Sequence, residues 1–139
     1  MPLFTALAIA GSGMAAEAER LTAVASNIAN ANSVGATPGA AYRAREVVFQ
    51  AVSPGDESEE TSTVGMAGVK VAAIVESAAP LRTSYEPGNK FADANGYVTM
   101  PNVNPVEEMV NMISAQQDYQ ANLEAFNVAK TLALRTLTI

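Results

Sequence analysis

The stretch "ASNIANANS", residues 25–33, decides how the chain is read, because it closes an alanine-rich run that begins near Leu3. Three asparagines, Asn27, Asn30 and Asn32, crowd its end. The asparagine amide competes for nearby backbone groups, so it disfavours helix interiors and favours helix ends. Upstream, Leu7, Met14, Leu21 and Ile28 recur every seven residues. Phe4, Gly11, Ala18 and Ala25 lie three residues before them. This is an a/d pattern with large residues at one position and mostly small ones at the other, which lets a partner helix approach closely. The reading places Gly11 at such a close contact, and puts Thr5, Ser12, Thr22 and Ser26 on the opposite face. Glu17, Glu19 and Arg20 are the only charges in the run.

A second helical pattern starts at "NPVEEM". Asn104 is a favourable N-cap, Pro105 suits the first helical turn, and Glu107 and Glu108 complement the positive end of the helix dipole. Met109, Met112, Ile113, Tyr119, Leu123, Phe126, Leu134 and Leu137 then form a broad apolar stripe. The polar positions between them are mostly neutral amides, including Asn111, Gln116, Gln117, Gln120, Asn122 and Asn127. Neutral amides bond across an interface without the desolvation cost of buried charge. At 1.5 Å per residue each helix reaches roughly 40–50 Å.

The middle of the chain reads as β: "YRAREVVFQAV" (42–52), "VKVAAIVES" (69–77) and "LRTSY" (81–85) are strand candidates, and "DANGYVTM" carries the turn-forming pair Asn95-Gly96. The segment "SPGDESEETST" between the first two is acidic and reads as a solvated loop. The predicted fold class is therefore α+β. Long N- and C-terminal helices (1–32 and 103–139) pair as a coiled coil, with a small β region and its acidic loop (near 53–65) between them (33–102).

Composition excludes several functions. The 139 residues suit one domain, and His and Cys are absent, which removes imidazole bases, thiol nucleophiles and the usual zinc ligands. The net charge of −6 argues against nucleic-acid binding. Charged residues make up only 16% of the chain while 49% is hydrophobic; so little charge predicts that much of the surface meets other protein. The N-terminus lacks the positive region of a secretory signal and is too interrupted to span a bilayer, so it reads as part of the mature fold. "GSGMAA" (11–16) fits the dinucleotide-turn pattern G-x-G-x-x-A, with "LFTALAIA" as a candidate strand before it, but lacks the acidic residue and the βαβ series that should follow. The acidic run Asp56, Glu57, Glu59 and Glu60 lacks the glycine turn of a calcium loop. No catalytic constellation, metal site or cofactor is expected.

Several pieces together carry a resemblance. "ASNIANANS", then "YRAREVVFQ", "ADANGYV", "MPNVN", "EEMVNMISA" and "YQANLEAFN" resemble the bacterial flagellar rod and hook proteins over nearly the whole chain. The likeness is weakest in the acidic loop. The long connection 33–41 before Tyr42-Arg43 looks like the proximal-rod branch, and Lys90-Phe91 departs from the proline-containing pair expected there. The resemblance implies a structural, non-enzymatic subunit that passes unfolded through the flagellar type III export apparatus without a cleaved signal. It then polymerises in the periplasm into the basal-body drive shaft. It implies as partners the other rod proteins (FlgB, FlgF and FlgG), the rod-base adaptor FliE and the MS ring, with no nucleic acid and no membrane insertion.

The expected assembly interface is Leu7, Met14, Leu21, Asn27, Ile28, Asn30, Asn32, Met109, Met112, Ile113, Gln116, Tyr119, Gln120, Asn122, Leu123, Phe126, Asn127, Leu134 and Leu137. Within one subunit, Leu7, Met14, Leu21 and Ile28 are expected to meet Met112, Ile113, Tyr119, Leu123 and Phe126. The three asparagines are expected to cap helix carbonyls and to bond neighbouring subunits. Other axial proteins of the hook or distal rod, a small nucleotide-binding oxidoreductase and an unrelated coiled-coil filament stay as alternatives.

Overall fold

A computed structural model describes residues 2–52 and 68–137, with side chains from 3 to 52 and from 68 to 136; the acidic loop, including Asp56, Glu57, Glu59 and Glu60, lies outside them. The element order is α1 (Pro2–Asn30), β1 (Arg45–Val52), β2 (Gly68–Glu76), β3 (Arg82–Tyr85), β4 (Tyr97–Met100) and α2 (Pro105–Leu137). Two long helices thus flank two small antiparallel sheets, β1-β2 and β3-β4. The predicted α+β class with paired end helices is what the chain adopts.

Local chemistry explains the helix limits. Asn104 Oδ1 accepts from Val106 N at 3.1 Å, and Asn104 O receives the first intrahelical bond from Glu108 N at 3.0 Å. This is the N-cap read from the sequence, with Pro105 at the position where its missing N–H costs nothing. α1 ends without the common left-handed cap: among the described residues only Gly96 has a positive φ. Side chains do the work instead. Ser33 donates to Asn30 O through both its backbone N (3.0 Å) and its Oγ (2.9 Å), and Asn30 Nδ2 donates back to Ser26 O at 2.9 Å.

The segment "LFTALAIA" is helical throughout, and α1 continues through Gly11 and Gly13. The helix read through Gly11 is present and the dinucleotide alternative fails: with no strand and no turn, the backbone N–H groups of residues 11–16 lie inside a helix and not in a phosphate-binding loop.

By backbone packing the chain forms two compact units, one built from residues 2–21, 47–52, 68–73 and 113–137, the other from residues 22–46 and 74–112. In the first, α1 and α2 run antiparallel: Gly13 lies against Asn122, and Arg20 against Asp118. A Cβ on Gly13 would sit 2.9 Å from the Asn122 amide, so the two helices approach as closely as glycine allows. At Gly11 a Cβ would meet nothing within 4 Å; the close-contact glycine is Gly13 and not Gly11. The start of β2 rests on α1 through Ser12, whose Oγ donates to Ile9 O (2.7 Å) and accepts from Val69 N (3.1 Å).

In the second unit, β3 and β4 pair with Arg82 opposite Met100 and Tyr85 opposite Tyr97. The predicted Asn95-Gly96 turn is present, but it closes the end of a longer connection and does not join the strands by itself. Asp93 Oδ1 accepts from Asn95 N and Tyr97 N (2.8 and 2.9 Å), and Gly96 takes φ = 85°. The largest fully buried side chains of the described residues, Asn27, Val98, Pro101 and Val103, all belong to this unit. So does the cluster of Ala31, Ala44 and Val103 with Tyr42 packed on it.

Candidate assembly interface

Asn27 is 1% exposed, and its amide is fully used. Its Oδ1 accepts from Arg45 N (2.8 Å) and from the Tyr42 hydroxyl (2.9 Å), and its Nδ2 donates to Arg45 O (2.9 Å) and to Glu108 Oε2 (3.0 Å). Two acceptor lone pairs and two N–H donors are all an asparagine amide has. The side chain therefore ties the last turns of α1 to the first residue of β1 and to the first turns of α2. Ser26 Oγ lies 3.0 Å from the Tyr42 hydroxyl and extends the network.

Asn102 does matching work one residue earlier. Its Oδ1 accepts from Ala44 N (2.8 Å) and its Nδ2 donates to Ser77 O (3.3 Å) and Ala79 O (3.0 Å), while Ser77 N donates to Ala44 O (2.8 Å). Arg82 donates through Nε to Pro101 O (3.0 Å) and through Nη2 to Ala31 O (3.2 Å). That places a cation at the negative end of the α1 dipole. Sequence reasoning missed Tyr42, Arg82 and Asn102. Asn102 sits in the motif "MPNVN", but its partners are distant in the chain and leave no local signal.

The expectations for the three asparagines divide. Asn30 does bond a helix carbonyl. Asn32 is exposed. Asn27 is corrected: it caps no α1 carbonyl, and its four partners are all within the subunit.

In the first unit, the carboxylates of Glu17 and Asp118 flank one guanidinium, with Arg20 Nη1 3.5 Å from Glu17 Oε2 and 3.6 Å from Asp118 Oδ2. Burial raises the Glu17 carboxyl above its ordinary range, and Asp118 adds to the shift while Arg20 opposes it. The pair is only partly shielded from water and so adds little to stability.

The remaining predicted residues fall into two groups. On α2, Ser114 apart, the less exposed positions from Glu108 on (Glu108, Met112, Ala115, Tyr119, Asn122, Phe126, Ala129 and Ala133) follow a 4-3 spacing, the seam of a paired helix. Met112, Tyr119, Asn122 and Phe126 belong to it. Met109 (53%), Ile113 (55%), Leu123 (41%) and Leu134 (56%) do not: they are exposed, as are Gln116, Gln120 and Asn127. The expected pairing of Ile113 and Leu123 within one subunit is thereby corrected. The Leu137 side chain lies outside the described ones.

On α1 the buried positions are Ala10, Gly13, Ala16, Glu17, Ala23, Val24 and Asn27, whereas Leu7, Met14, Leu21 and Ile28 are half-buried beside them and Ala18 and Ala25 are exposed. The seam is rotated from the predicted one by about one residue, or 100° of helix. Small residues lie on every face of this helix, so size alone does not fix its phase. Sequence reasoning also missed Val106, Val110, Val128 and Leu132, which are large, apolar and exposed on α2. α2 thus carries hydrophobic side chains well beyond its seam, the mark of a helix that meets more than one neighbour. No helix among the described residues is long and apolar enough to cross a membrane, and no group of three or more acidic side chains there could hold a metal.

Paired end helices with a small β region and large apolar side chains exposed on α2 fit a structural, protein-binding subunit. The family described as "Flagella basal body rod protein" matches residues 7–37, and that described as "Flagellar basal body rod FlgEFG protein C-terminal" matches residues 94–139. The chain is 51% identical to the flagellar basal-body rod protein FlgC of Salmonella typhimurium over 140 residues, covering 100% of this chain and 98% of that protein. It is 49% identical to the protein of that name from Escherichia coli O6:H1, with the same coverage, and 41% identical to that of Agrobacterium fabrum, over 99% of this chain and 95% of the relative. The chain belongs to the FlgC family of flagellar basal-body rod proteins and is a structural rod subunit.

Proposed function

We propose that the chain is a subunit of the proximal rod, the helical shaft that carries motor torque through the periplasm. Identity across essentially the whole length of FlgC proteins supports this reading. A contact between unlike surfaces that does not close on itself generates such a helical polymer. The observation that carries the mechanism is the exposed apolar surface of α2, with Met109, Ile113, Leu123 and Leu134 each more than 40% exposed. Because each is already about half buried, covering it with a neighbour stabilises the polymer by about half of the 1.5–3 kcal/mol of a fully exposed side chain, roughly 1 kcal/mol each. Stiffness comes from close helix packing of the kind seen where Gly13 meets Asn122.

In this reading α1 and α2 form the inner wall and strands β1 to β4 lie outside. The site residues named from the sequence act between subunits where they are exposed and within the subunit where they are buried. The subunit catalyses nothing, is exported unfolded through the flagellar type III apparatus without a cleaved signal, and joins FlgB, FlgF, FlgG, FliE and the MS ring. The test is complementation of a flagellated host that lacks its own copy. A double variant Ile113→Asp, Leu123→Asp is expected to be exported at normal levels but to leave basal bodies without complete rods and cells that do not swim. Normal rods in electron micrographs and normal swimming would overturn the reading.

A further inference from the structure

The chain has one Asn-Gly pair, Asn95-Gly96, and every other asparagine precedes a residue that carries a side chain. The pair is chemically labile, because no Cβ shields the glycine nitrogen from the asparagine side-chain carbonyl beside it. The fold cannot dispense with this glycine: its φ is 85°, and an added Cβ would lie 2.9 Å from the Tyr85 ring. The fold also holds the nitrogen. Gly96 N donates to Asp93 O at 3.0 Å, while Asp93 Oδ1 accepts from Asn95 N at 2.8 Å and from Tyr97 N at 2.9 Å. Asp93 N donates to Tyr97 O at 2.8 Å, and Glu86 N to Gly96 O at 2.9 Å. A nitrogen must release its proton before it attacks, and an amide held in such a bond releases it only when the turn opens. Asn95 itself is exposed, so water reaches the site.

We propose that Asn95 is a self-modification site guarded by the turn from Asp93 to Tyr97. In the closed turn the Gly96 nitrogen is held and Asn95 persists. When the turn opens, Gly96 N gives up its proton and bonds to Asn95 Cγ, and the side-chain nitrogen leaves with that proton as ammonia. Water then opens the five-membered imide. Attack at the side-chain carbonyl leaves aspartate; attack at the main-chain carbonyl leaves isoaspartate, with the chain running through the former side chain. No oxidant, reductant or enzyme takes part. Isoaspartate adds one carbon to the main chain between the partners of the turn, so the bonds of Asp93 to Gly96 and Tyr97 cannot all re-form. Tyr97 faces Tyr85 across the β3-β4 pair, and Val98 beside it is 1% exposed, so the change reaches the core of this unit. An opening event is thereby made permanent, and the modified fraction records the time the chain has spent with this turn open.

The test incubates the full-length protein in mildly alkaline buffer, folded in one sample and unfolded in guanidinium chloride in the other, and locates aspartate and isoaspartate by peptide mass spectrometry. Position 95 is expected to be converted at least about tenfold more slowly in the folded sample, as for an amide reached through local opening. In the unfolded sample it is expected to be the first asparagine converted. Asp93→Ala is expected to speed conversion in the folded sample, and Asp93→Asn, which keeps an acceptor oxygen on the side chain, to leave it near the parent rate. Equal parent rates in the two samples, or folded conversion no faster in Asp93→Ala than in the parent, would overturn the proposal; the parent comparison stands even where Asp93→Ala does not fold. Returned to native buffer, chains with isoaspartate are expected to show fast amide exchange at Gly96 and Tyr97, and unmodified chains slow exchange. Slow exchange in both would also overturn it.

Discussion

Asn27 pairs with both backbone polar groups of Arg45, accepting from its N at 2.8 Å and donating to its O at 2.9 Å. A single side chain thus stands in for a neighbouring strand at the first residue of β1. Replacing it by alanine leaves these groups and Glu108 without that partner, at a cost of about 1–3 kcal/mol. Asn27→Asp is expected to be worse near neutral pH, because it removes the donor to Arg45 O and sets a second carboxylate against Glu108. Urea unfolding of the three proteins checks the order; equal midpoints would show that the network contributes nothing.

Exposed and buried apolar residues are expected to separate stability from assembly. Leu123→Asp, at a side chain 41% exposed, should change monomer stability by no more than about 0.5 kcal/mol while abolishing rod assembly. Val103→Ala, at a side chain 2% exposed, should lower the unfolding free energy by about 1–3 kcal/mol through the cavity it leaves. Denaturation midpoints and electron microscopy of basal bodies, taken together, distinguish the two classes.

Gly96 combines a φ of 85° with a tight surround: an added Cβ would lie 2.9 Å from the Tyr85 ring and 3.2 Å from Pro87. Gly96→Ala is expected to cost about 1–2 kcal/mol from the left-handed backbone alone, and to disturb the edge-to-face pair of Tyr85 and Tyr97, whose ring centres are 5.3 Å apart. Loss of near-ultraviolet tyrosine dichroism together with a lower urea midpoint is the expected result.

Glu17 gives a pH dependence with a defined sign. Burial raises its carboxyl above the ordinary value of 4.5, Asp118 adding and Arg20 opposing. Between 4.5 and the raised value the folded state holds more of this proton than the unfolded state does, so stability contributed at this site falls as pH rises through that window. Helical ellipticity should therefore decline from pH 4.5 towards neutrality by more in the parent protein than in Glu17→Gln. An identical or steeper decline in Glu17→Gln would refute the assignment.

Much of the fold was legible because it rests on short-range chemistry. The start of α2 follows from an N-cap that bonds an amide two residues on and from a proline at the first helical position, and the end of α1 from Asn30 and Ser33 bonding carbonyls within one turn. The choice of face on α1 was not legible. Ala10, Gly13 and Ala16 are no smaller than Gly11, Ala18 and Ala25, so two phases about 100° apart fit the same heptad. On α2 the stripe of large residues was correctly placed on the helix, and Met112, Tyr119 and Phe126 lie in its seam, but Ile113 and Leu123 were wrongly turned inward, because periodicity reports which residues share a face and not what covers that face.

The sequence by itself determined two long helices, the points where α1 ends and α2 begins, the β character of the middle and the family, since each depends on neighbours within a few residues or on motifs kept intact. Only the tertiary structure decided that Gly13, and not Gly11, meets the other helix, and that Ile113 and Leu123 face outward. It alone turned one asparagine of "ASNIANANS" from a helix terminator into the joint of three elements. The physical reason is one of distance along the chain: Asn27 is satisfied by Tyr42, Arg45 and Glu108, and no local rule relates residues that only folding brings together.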